Sequence, residues 1–343
     1  MVVASLLAMV VTIAATVLPV PFLSRSPGPV FDILGETDGE PTMSITGARS
    51  YPTTGSLDLT TVAEMGGTSG PLTVGGALVG WFAPDTAVVY DEERRREADR
   101  ELDAAVFDAS QSQAVAAAAN HLDRPVSGVP VVVQVAPDSP AAGVLEAGDE
   151  IAAIDGRPVQ SASQVSRRIS SQPAGTEFRL RIVRDGKDST ARVVSRQSEE
   201  AGRPVIGIVV EDAFSSDFEA ELNLEGIGGP SAGLVLALAM VDKLTPGNLL
   251  DGRHIAGTGT ITPEGVVGEI GGIDKKMLAA RDEGAELFLA PRGNCGEVAG
   301  SLPDGLTVVP VDSLDAAVAA IGDWLGGEPL KSCSPDTPSD DND

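Results

Sequence analysis

The stretch Gly229-Pro230-Ser231-Ala232-Gly233 stands immediately before an apolar run, Leu234-Val235-Leu236-Ala237-Leu238-Ala239-Met240. The run consists of good helix formers and the proline suits a helix start, so the pattern predicts a helix that Ser231 precedes. Backbone N–H groups at a helix start have no partner inside the helix and can stabilise a developing oxyanion. The stretch therefore puts a hydroxyl group where a nucleophile could act.

A second stretch, Gly271-Gly272-Ile273-Asp274-Lys275-Lys276, supplies amines at the head of another predicted helix, which runs from Lys275 to Glu283. A serine needs a base to become a nucleophile, and a desolvated lysine is one of the few side chains that can serve. Between the two stretches, Ala256-Gly257-Thr258-Gly259-Thr260-Ile261 predicts a strand.

These three segments resemble the proteolytic domain of the Lon proteases, which use a Ser–Lys dyad. Pro-Ser-Ala-Gly at 230–233 matches the nucleophile motif of that family. The family's lysine motif, Gly-Gly-x-x-x-Lys-x-x-Ala-Ala, matches residues 271–280 and selects Lys276 rather than Lys275. The resemblance implies the following site: Ser231 as nucleophile, Lys276 as base, Thr258 in contact with the lysine, and Gly228 and Gly229 beside an oxyanion hole.

Several other chemistries lack their residues. The two histidines are His121 and His254, and a Ser-His-Asp triad built on His254 remains an alternative to the dyad. The sequence contains no His-Glu-x-x-His and no Cys/His cluster for a metal hydrolase. It also lacks a Gly-x-x-x-x-Gly-Lys-Ser/Thr loop for ATP. We therefore expect a peptidase that works without ATP, metal or another cofactor.

The charge balance excludes one class of partner. The chain carries 24 Lys and Arg against 50 Asp and Glu, a formal net charge of −26. Such a surface repels phosphate backbones, so nucleic acid is not an expected partner.

Residues 2–22 contain no charged side chain. About 20 apolar residues are what a membrane-spanning helix needs, whereas the apolar part of a cleaved signal peptide is usually shorter. A signal peptide remains the alternative, but the run favours a transmembrane anchor over residues 1–24. The bulk of the chain follows this segment, so we expect a single-pass protein of the cell membrane with its catalytic part outside the cytoplasm.

The order of predicted strands, turns and helix over residues 126–196 indicates a separate domain. The strand Val131–Val135 is followed by Ser139-Pro140-Ala141-Ala142-Gly143, by Gly148-Asp149-Glu150-Ile151 with an Asp-Gly turn, and by a helix from Ser163 to Ser171. This run resembles a PDZ domain of the bacterial protease type, which binds an extended peptide beside a helix. The resemblance implies a peptide groove, with a carboxylate nest at 127–130, lined by Val129, Val131, Val133, Val165 and Ile169. A module that only spaces the protease domain is the alternative.

The predicted fold class is a multidomain α+β protein with an N-terminal transmembrane helix, a PDZ-like domain and a two-layer α/β proteolytic domain. The predicted boundaries are as follows: anchor 1–24; strands and helix that complete the protease domain 25–125; PDZ-like domain 126–196; Lon-like domain 197–328; disordered acidic tail 329–343. Cys295 and Cys333 are the two cysteines, and their spacing leaves a disulfide open.

Together these patterns predict a membrane-anchored, ATP-independent serine endopeptidase whose partners are protein or peptide substrates. Lon-type domains commonly assemble as rings, so the resemblance also raises the prospect of a homo-oligomer. The alternative is a PDZ scaffold or regulator at the membrane in which the protease fold is inactive.

Overall fold

The computed structural model describes residues 18–66, 72–83, 85–90, 97–198, 201–224 and 226–333, together with the isolated positions 3 and 9. The chain divides into two compact units. Unit 1 comprises Met1–Leu122 and Glu219–Asp343, and unit 2 comprises Asp123–Phe218.

The elements follow in chain order. Those before residue 123 are β1 (Phe22–Asp32), β2 (Glu36–Thr37), β3 (Glu40–Pro41), β4 (Met43–Thr46), β5 (Ser56–Met65), α1 (Val74–Phe82), β6 (Ala87–Tyr90) and α2 (Glu97–His121). Unit 2 contains β7 (Ser127–Val135), β8 (Glu150–Ile154), β9 (Arg157–Pro158), α3 (Ala162–Ser170), β10 (Glu177–Arg184), β11 (Lys187–Val194), β12 (Arg196–Gln197), β13 (Pro204–Val205) and β14 (Ile208–Ser215). The remainder are β15 (Glu219–Leu222), α4 (Gly233–Leu244), β16 (His254–Gly257), β17 (Thr260–Ile261), β18 (Val267–Gly268), α5 (Ile273–Glu283), β19 (Leu287–Pro291), α6 (Cys295–Ser301), β20 (Thr307–Val311) and α7 (Leu314–Gly326).

Unit 1 is organised around a six-stranded mixed sheet in the order β20-β19-β16-β5-β1-β6. The pairs β20–β19, β19–β16 and β16–β5 are parallel, and the pairs β5–β1 and β1–β6 are antiparallel. Strand β5 joins the two halves of the unit, because its residues 56–59 pair with His254–Gly257 of β16. The N-terminal strands therefore share one sheet with the strands that follow residue 253.

Helices cover both faces of this sheet. Ala256 of β16 packs in one cluster with Ile273 and Met277 of α5. At the next residue, a Cβ built on Gly257 would lie 3.4 Å from Val235 of α4. Successive residues of a strand point to opposite faces, so α4 and α5 lie on opposite sides. The two-layer prediction is corrected to a helix–sheet–helix arrangement, which suits α4 because every residue except Lys243 is buried.

The described residues contain no helix that is both long enough and apolar enough to cross a membrane. Residues 22–24, the end of the predicted anchor, instead open strand β1, where Leu23 is buried. An apolar run suits a buried strand as well as a helix, so composition alone misled the prediction. The predicted transmembrane helix over residues 1–24, and the single-pass membrane placement with an extracytoplasmic catalytic part, are therefore wrong. Residues 1–2, 4–8 and 10–17 lie outside the described residues.

Unit 2 is built on an antiparallel sheet in the order β11-β10-β8-β7-β14. Strands β10 and β11 form a hairpin through Asp185 and Gly186, both with positive φ as a two-residue hairpin turn requires. One apolar cluster, which includes Val132, Val165 and Ile169, forms the core. Residues 197–218, which the sequence assigned to the proteolytic domain, belong to this unit, because β14 pairs with β7 along its whole length.

Cys295 and Cys333 form a disulfide. Cys295 opens α6, and Cys333 follows it after 38 residues and packs against the cluster that contains Met277 and Val298. The bond ties residues 329–333, the start of the predicted tail, to unit 1; residues 334–343 of that tail lie outside the described residues.

Reduction of this disulfide should lower the free energy of unfolding by roughly 2–4 kcal/mol, because a cross-link over such a loop restricts the unfolded chain. Urea titrations with and without dithiothreitol measure the difference. The Cys333→Ser variant is the control, since its stability should already be low and should not respond to the reductant. A wild-type urea midpoint that is the same with and without dithiothreitol would contradict the disulfide between Cys295 and Cys333.

Candidate functional site

Ser231, Lys276 and Thr258 meet in unit 1. The amine of Lys276 lies 2.6 Å from Ser231 Oγ and 3.0 Å from Thr258 Oγ1. Thr258 is 1% exposed and Lys276 is 3% exposed, so the contact is shielded from water. The structure thus brings together three residues that lie on three separate segments of the sequence.

The nucleophile candidate is held through its own backbone. Its carbonyl oxygen accepts hydrogen bonds from Thr258 Oγ1 at 3.0 Å and from the N–H of Gly259 at 2.9 Å. Helix α4 begins two residues later, with Ala232 as its N-cap. Thr258 follows directly on β16, so the central sheet fixes Ser231 by way of this strand.

The helix that carries Lys276 approaches the sheet through a glycine. Gly272 is the N-cap of α5 and has φ +69°, in the left-handed region that favours glycine. A Cβ at this position would lie 2.9 Å from Val62 on β5. The absence of a side chain therefore allows α5 to start close against β5, and Lys276 follows one turn later.

Burial lowers the pKa of Lys276 from the ordinary lysine range to about 8. The hydrogen-bond partners of the amine are the hydroxyls of Ser231 and Thr258, and no carboxylate among the described residues forms an ion pair with it. About half of the amine is therefore neutral near pH 8 and most of it above that pH, and the neutral form is the one that can accept a proton.

Gly228 and Gly229 lie directly before the Pro-Ser-Ala-Gly segment and line the same cleft as Ser231 and Lys276. Gly229 has φ +81°. Within the described part of the chain, the N–H groups of Gly229 and Ser231 donate no hydrogen bond. These donors are thus available to an oxygen atom in the cleft.

The cleft around Ser231 has a volume of about 870 Å³. One wall of the cleft is β5. On one side β5 pairs with β1, and on the other side β16 pairs only with residues 56–59, so the edge of β5 beyond residue 59 has no described strand beside it. The other walls are the segment 226–232 and the segment 269–271. The cleft therefore presents a length of unpaired strand edge beside the hydroxyl group.

His254 lies elsewhere. Its Nε2 is 2.5 Å from Asp58 Oδ2 on β5, and burial raises the pKa of Asp58 despite this hydrogen bond. Ser231 Oγ contacts Lys276 instead, so the described structure offers no Ser-His-Asp triad on His254. Among the described residues, no group of three or more His, Cys, Asp and Glu side chains is arranged to hold a metal ion.

Sequence reasoning missed Asn294, a buried residue at the end of a short 3-10 helix. Its Oδ1 accepts from the N–H of Ile270 at 3.0 Å, and its Nδ2 donates to the carbonyl of Ile270 at 2.9 Å. The amide thus fixes the backbone of the cleft wall that leads into Gly271 and α5. No signal at sequence level indicated it, because a single asparagine between a strand and a helix is an ordinary cap.

The strand predicted to receive a peptide in unit 2 lies inside the sheet. Strand β7 pairs with β14 on one side and β8 on the other, and residues 127–130, the predicted carboxylate nest, are regular strand. Val132 shares the core with Val165 and Ile169. Because neighbouring side chains of a regular strand alternate between faces, Val129 and Val131 point away from that helix, and Val133 lies at a bulge of the β7–β14 pairing. The predicted grouping of these three valines with Val165 and Ile169 is therefore corrected.

The groove lies instead between α3 and residues 203–210, with a volume of about 270 Å³. Val165 and Ile169 line it from α3, and β14 is the edge strand of the sheet. The N–H groups of Ile206 and Gly207 donate no hydrogen bond to a described residue. The signal for this groove was the run Val205-Ile206-Gly207-Ile208-Val209-Val210, which the sequence analysis assigned to the other domain.

Two protein-family models match the chain. The model described as a PDZ domain matches residues 112–194, and the model described as the Lon protease (S16) C-terminal proteolytic domain matches residues 226–321. Residues 226–321 are thus similar to a Lon-type proteolytic domain, and this similarity supports a serine peptidase. The dyad candidates Ser231 and Lys276 both lie inside the matched segment.

Curated relatives carry the same family name. The chain is 38% identical over 90 residues to the Lon protease of Buchnera aphidicola, a match that covers 25% of this chain and 11% of the relative. It is 30% identical over 141 residues to Lon protease 1 of Bacillus subtilis, covering 39% of this chain and 17% of the relative. The chain thus spans less than a fifth of these relatives. A solved PDZ domain of an SdrC-like protein from Listeria innocua is 33% identical, with 24% of this chain and 93% of that chain covered and a TM-score of 0.23.

The lowered pKa of Lys276 can be measured directly, because the sequence contains five lysines. After reductive ¹³C-methylation, one dimethyl-lysine NMR signal should titrate near pH 8, and Lys276→Arg should remove it. Lys243, which is also partly buried, should give a second lowered pKa and survive that substitution. A Lys276 signal that titrates with the ordinary lysines near 10.4 would contradict the burial described above.

Proposed function

We propose that this chain is a serine endopeptidase that uses Ser231 as nucleophile and Lys276 as general base, without ATP. The observation that carries the proposal is the 2.6 Å contact between the Lys276 amine and Ser231 Oγ inside a buried site. The Lon-type match over residues 226–321 supports the same reaction class.

The first step is attack on the peptide carbonyl. With the amine neutral, the Ser231 hydroxyl donates its proton to Lys276 Nζ while Oγ bonds to the carbonyl carbon. Thr258 acts as a positioning residue, because its hydroxyl contacts the amine without adding charge. The negative oxygen that forms is stabilised by the free N–H groups of Gly229 and Ser231 in the turn that Gly228 begins.

The second half returns the enzyme to its starting state. The protonated amine of Lys276 gives its proton to the leaving nitrogen, and the acyl group stays on Ser231 Oγ as an ester. A water molecule then loses a proton to the same amine and attacks the ester, which releases the acid and restores the hydroxyl. The open edge of β5 suits an extended substrate, which would add to it as a strand.

Lys276→Arg should reduce peptide hydrolysis to background, because a guanidinium cannot lose its proton at working pH. Ser231→Ala should do the same. Lys275→Arg is the matched control: its amine contacts Asp274 at 3.1 Å rather than the hydroxyls, and its activity should stay within about twofold of wild type. Hydrolysis of a fluorogenic casein, with and without ATP, measures all four enzymes.

The pH dependence gives a second, independent test. The active form carries a neutral amine, so kcat/KM should rise with pH, level off above about pH 8, and fall about tenfold per pH unit below it. A Lys276→Arg enzyme with near-normal turnover, or a rate that rises around pH 6.5 as for a histidine, would exclude the dyad.

The alternative function is an inactive scaffold. It predicts no hydrolysis by wild type and no labelling of Ser231 by a serine-reactive phosphonate. Labelling that is lost in both Ser231→Ala and Lys276→Arg would favour the enzyme even before a substrate is found.

We further propose that unit 2 binds the C-terminal end of a peptide in the groove between α3 and β14. The free edge of β14 can pair with an extended chain, and Val165 and Ile169 provide an apolar floor. The same groove is lined by Ile206 and Gly207, whose N–H groups donate to no described residue, and by Arg203, whose guanidinium donates to Ser166 Oγ on α3 at 2.9 Å. These donors suit a terminal carboxylate.

Peptides that end in a free carboxylate after an apolar residue should bind the Ser231→Ala chain, and C-terminal amidation should weaken the affinity at least tenfold. Arg203→Glu should weaken binding of the free-acid peptide by a similar factor, about 1.4 kcal/mol. Arg192→Glu, the same charge reversal on the opposite edge strand β11, is the control and should bind normally. Equal affinity for acid and amide peptides would contradict carboxylate capture, and fluorescence polarisation measures each case.

A further inference from the structure

Glu269 stands out among the charged groups of the Ser231 cleft. Among the described residues, the charged side chains that line the cleft are those of Glu64, Glu269 and Lys276. Glu64 is paired with Arg25 at 2.7 Å. Lys276 must be neutral to act as a base, so it does not offset the carboxylates when the substrate binds. The exposed carboxylate of Glu269 forms no ion pair within the described part of the chain.

The neighbouring cations are already engaged. Arg292 contacts Asp312 at 2.9 Å, and Lys275 contacts Asp274 at 3.1 Å. The carboxylate therefore remains available to a cation that enters the cleft from outside.

The backbone beside Glu269 is held in place. The next residue, Ile270, is held through both its N–H and its carbonyl by the buried amide of Asn294. The side chain of Glu269 lies against Gly293, where a built Cβ would fall 2.1 Å from Oε1. The carboxylate thus extends from a backbone segment that hydrogen bonds fix.

We propose that Glu269 makes this cleft select substrates that carry a lysine or arginine side chain close to the bond that is cut. The inference rests on the proposed peptidase function and adds the substrate class. A cation in the cleft would gain an unpaired carboxylate, whereas an acidic side chain would meet two carboxylates and no free cation. The predicted preference is about 2- to 5-fold, the range of an exposed ion pair.

The test uses peptides that differ at one position beside the scissile bond, scanned on both sides, with lysine, norleucine or glutamate. At pH 9 and low ionic strength, wild type should cleave the best lysine peptide about 2- to 5-fold faster in kcat/KM than its norleucine counterpart. Glu269→Gln should bring this ratio close to 1, and Glu269→Lys should favour the glutamate peptide. Glu264→Gln removes an equal exposed charge outside the cleft lining and should leave the wild-type ratio unchanged.

A lysine-to-norleucine ratio that stays the same in Glu269→Gln would overturn the inference, as would an equal drop in Glu264→Gln, which would assign the preference to net charge. Binding separates this outcome from a failure of the peptidase proposal. Affinities of the lysine and norleucine peptides for Ser231→Ala and for Ser231→Ala/Glu269→Gln, measured by calorimetry, should show the same preference and its loss even if no peptide is hydrolysed. Equal affinities in both proteins would also overturn it.

Discussion

The removal of one amine from water underlies the candidate active site. Lys276 contacts two hydroxyls, and no carboxylate among the described residues forms an ion pair with it. A carboxylate beside it would stabilise the ammonium form and raise the pKa of the lysine, which would cancel the decrease that burial causes. A lysine base therefore needs to be buried among neutral groups. The two hydroxyls that contact the Lys276 amine, those of Ser231 and Thr258, meet this requirement.

That burial is achieved by packing from both faces of one sheet. Helix α4, apolar around its whole circumference, covers one face beneath Ser231, and α5 brings Lys276 from the other. The two meet past the end of β16, where Thr258 bridges them. Gly272 sets the distance on the α5 side, because a side chain there would collide with Val62. The geometry thus depends on the core and not on a mobile loop.

Sequence patterns anticipated the local elements well. The helix after Ser231, the strand before Thr258 and the helix that contains Lys276 all follow from short-range signals, namely apolar runs, Pro and Gly. The long-range pairings did not follow from such signals. No local signal indicates that β14 pairs with β7, so the sequence analysis placed the groove of unit 2 at Val129, Val131 and Val133, whereas the groove in the structure is lined by residues 203–210. Likewise, residues 22–24 at the end of the apolar run fit a strand and a spanning helix equally well. Asp58, the hydrogen-bond partner of His254, lies 196 residues away in the sequence, so no local pattern could indicate this contact.

The insertion of unit 2 between the two halves of unit 1 has a consequence for synthesis of the chain. Strands β1 and β5 leave the ribosome long before β16, the strand that β5 pairs with in parallel. At 5–20 residues per second, the delay between residue 65 and residue 254 is roughly 10–40 s. During this interval Leu57 and Leu59, both buried in the finished unit, lack β16, the strand that pairs with them in the finished sheet. Early folding of unit 2 would shorten the effective loop between the halves, which lowers the entropy lost when they close. A folded unit 2 would thereby make it easier for β5 to pair with β16.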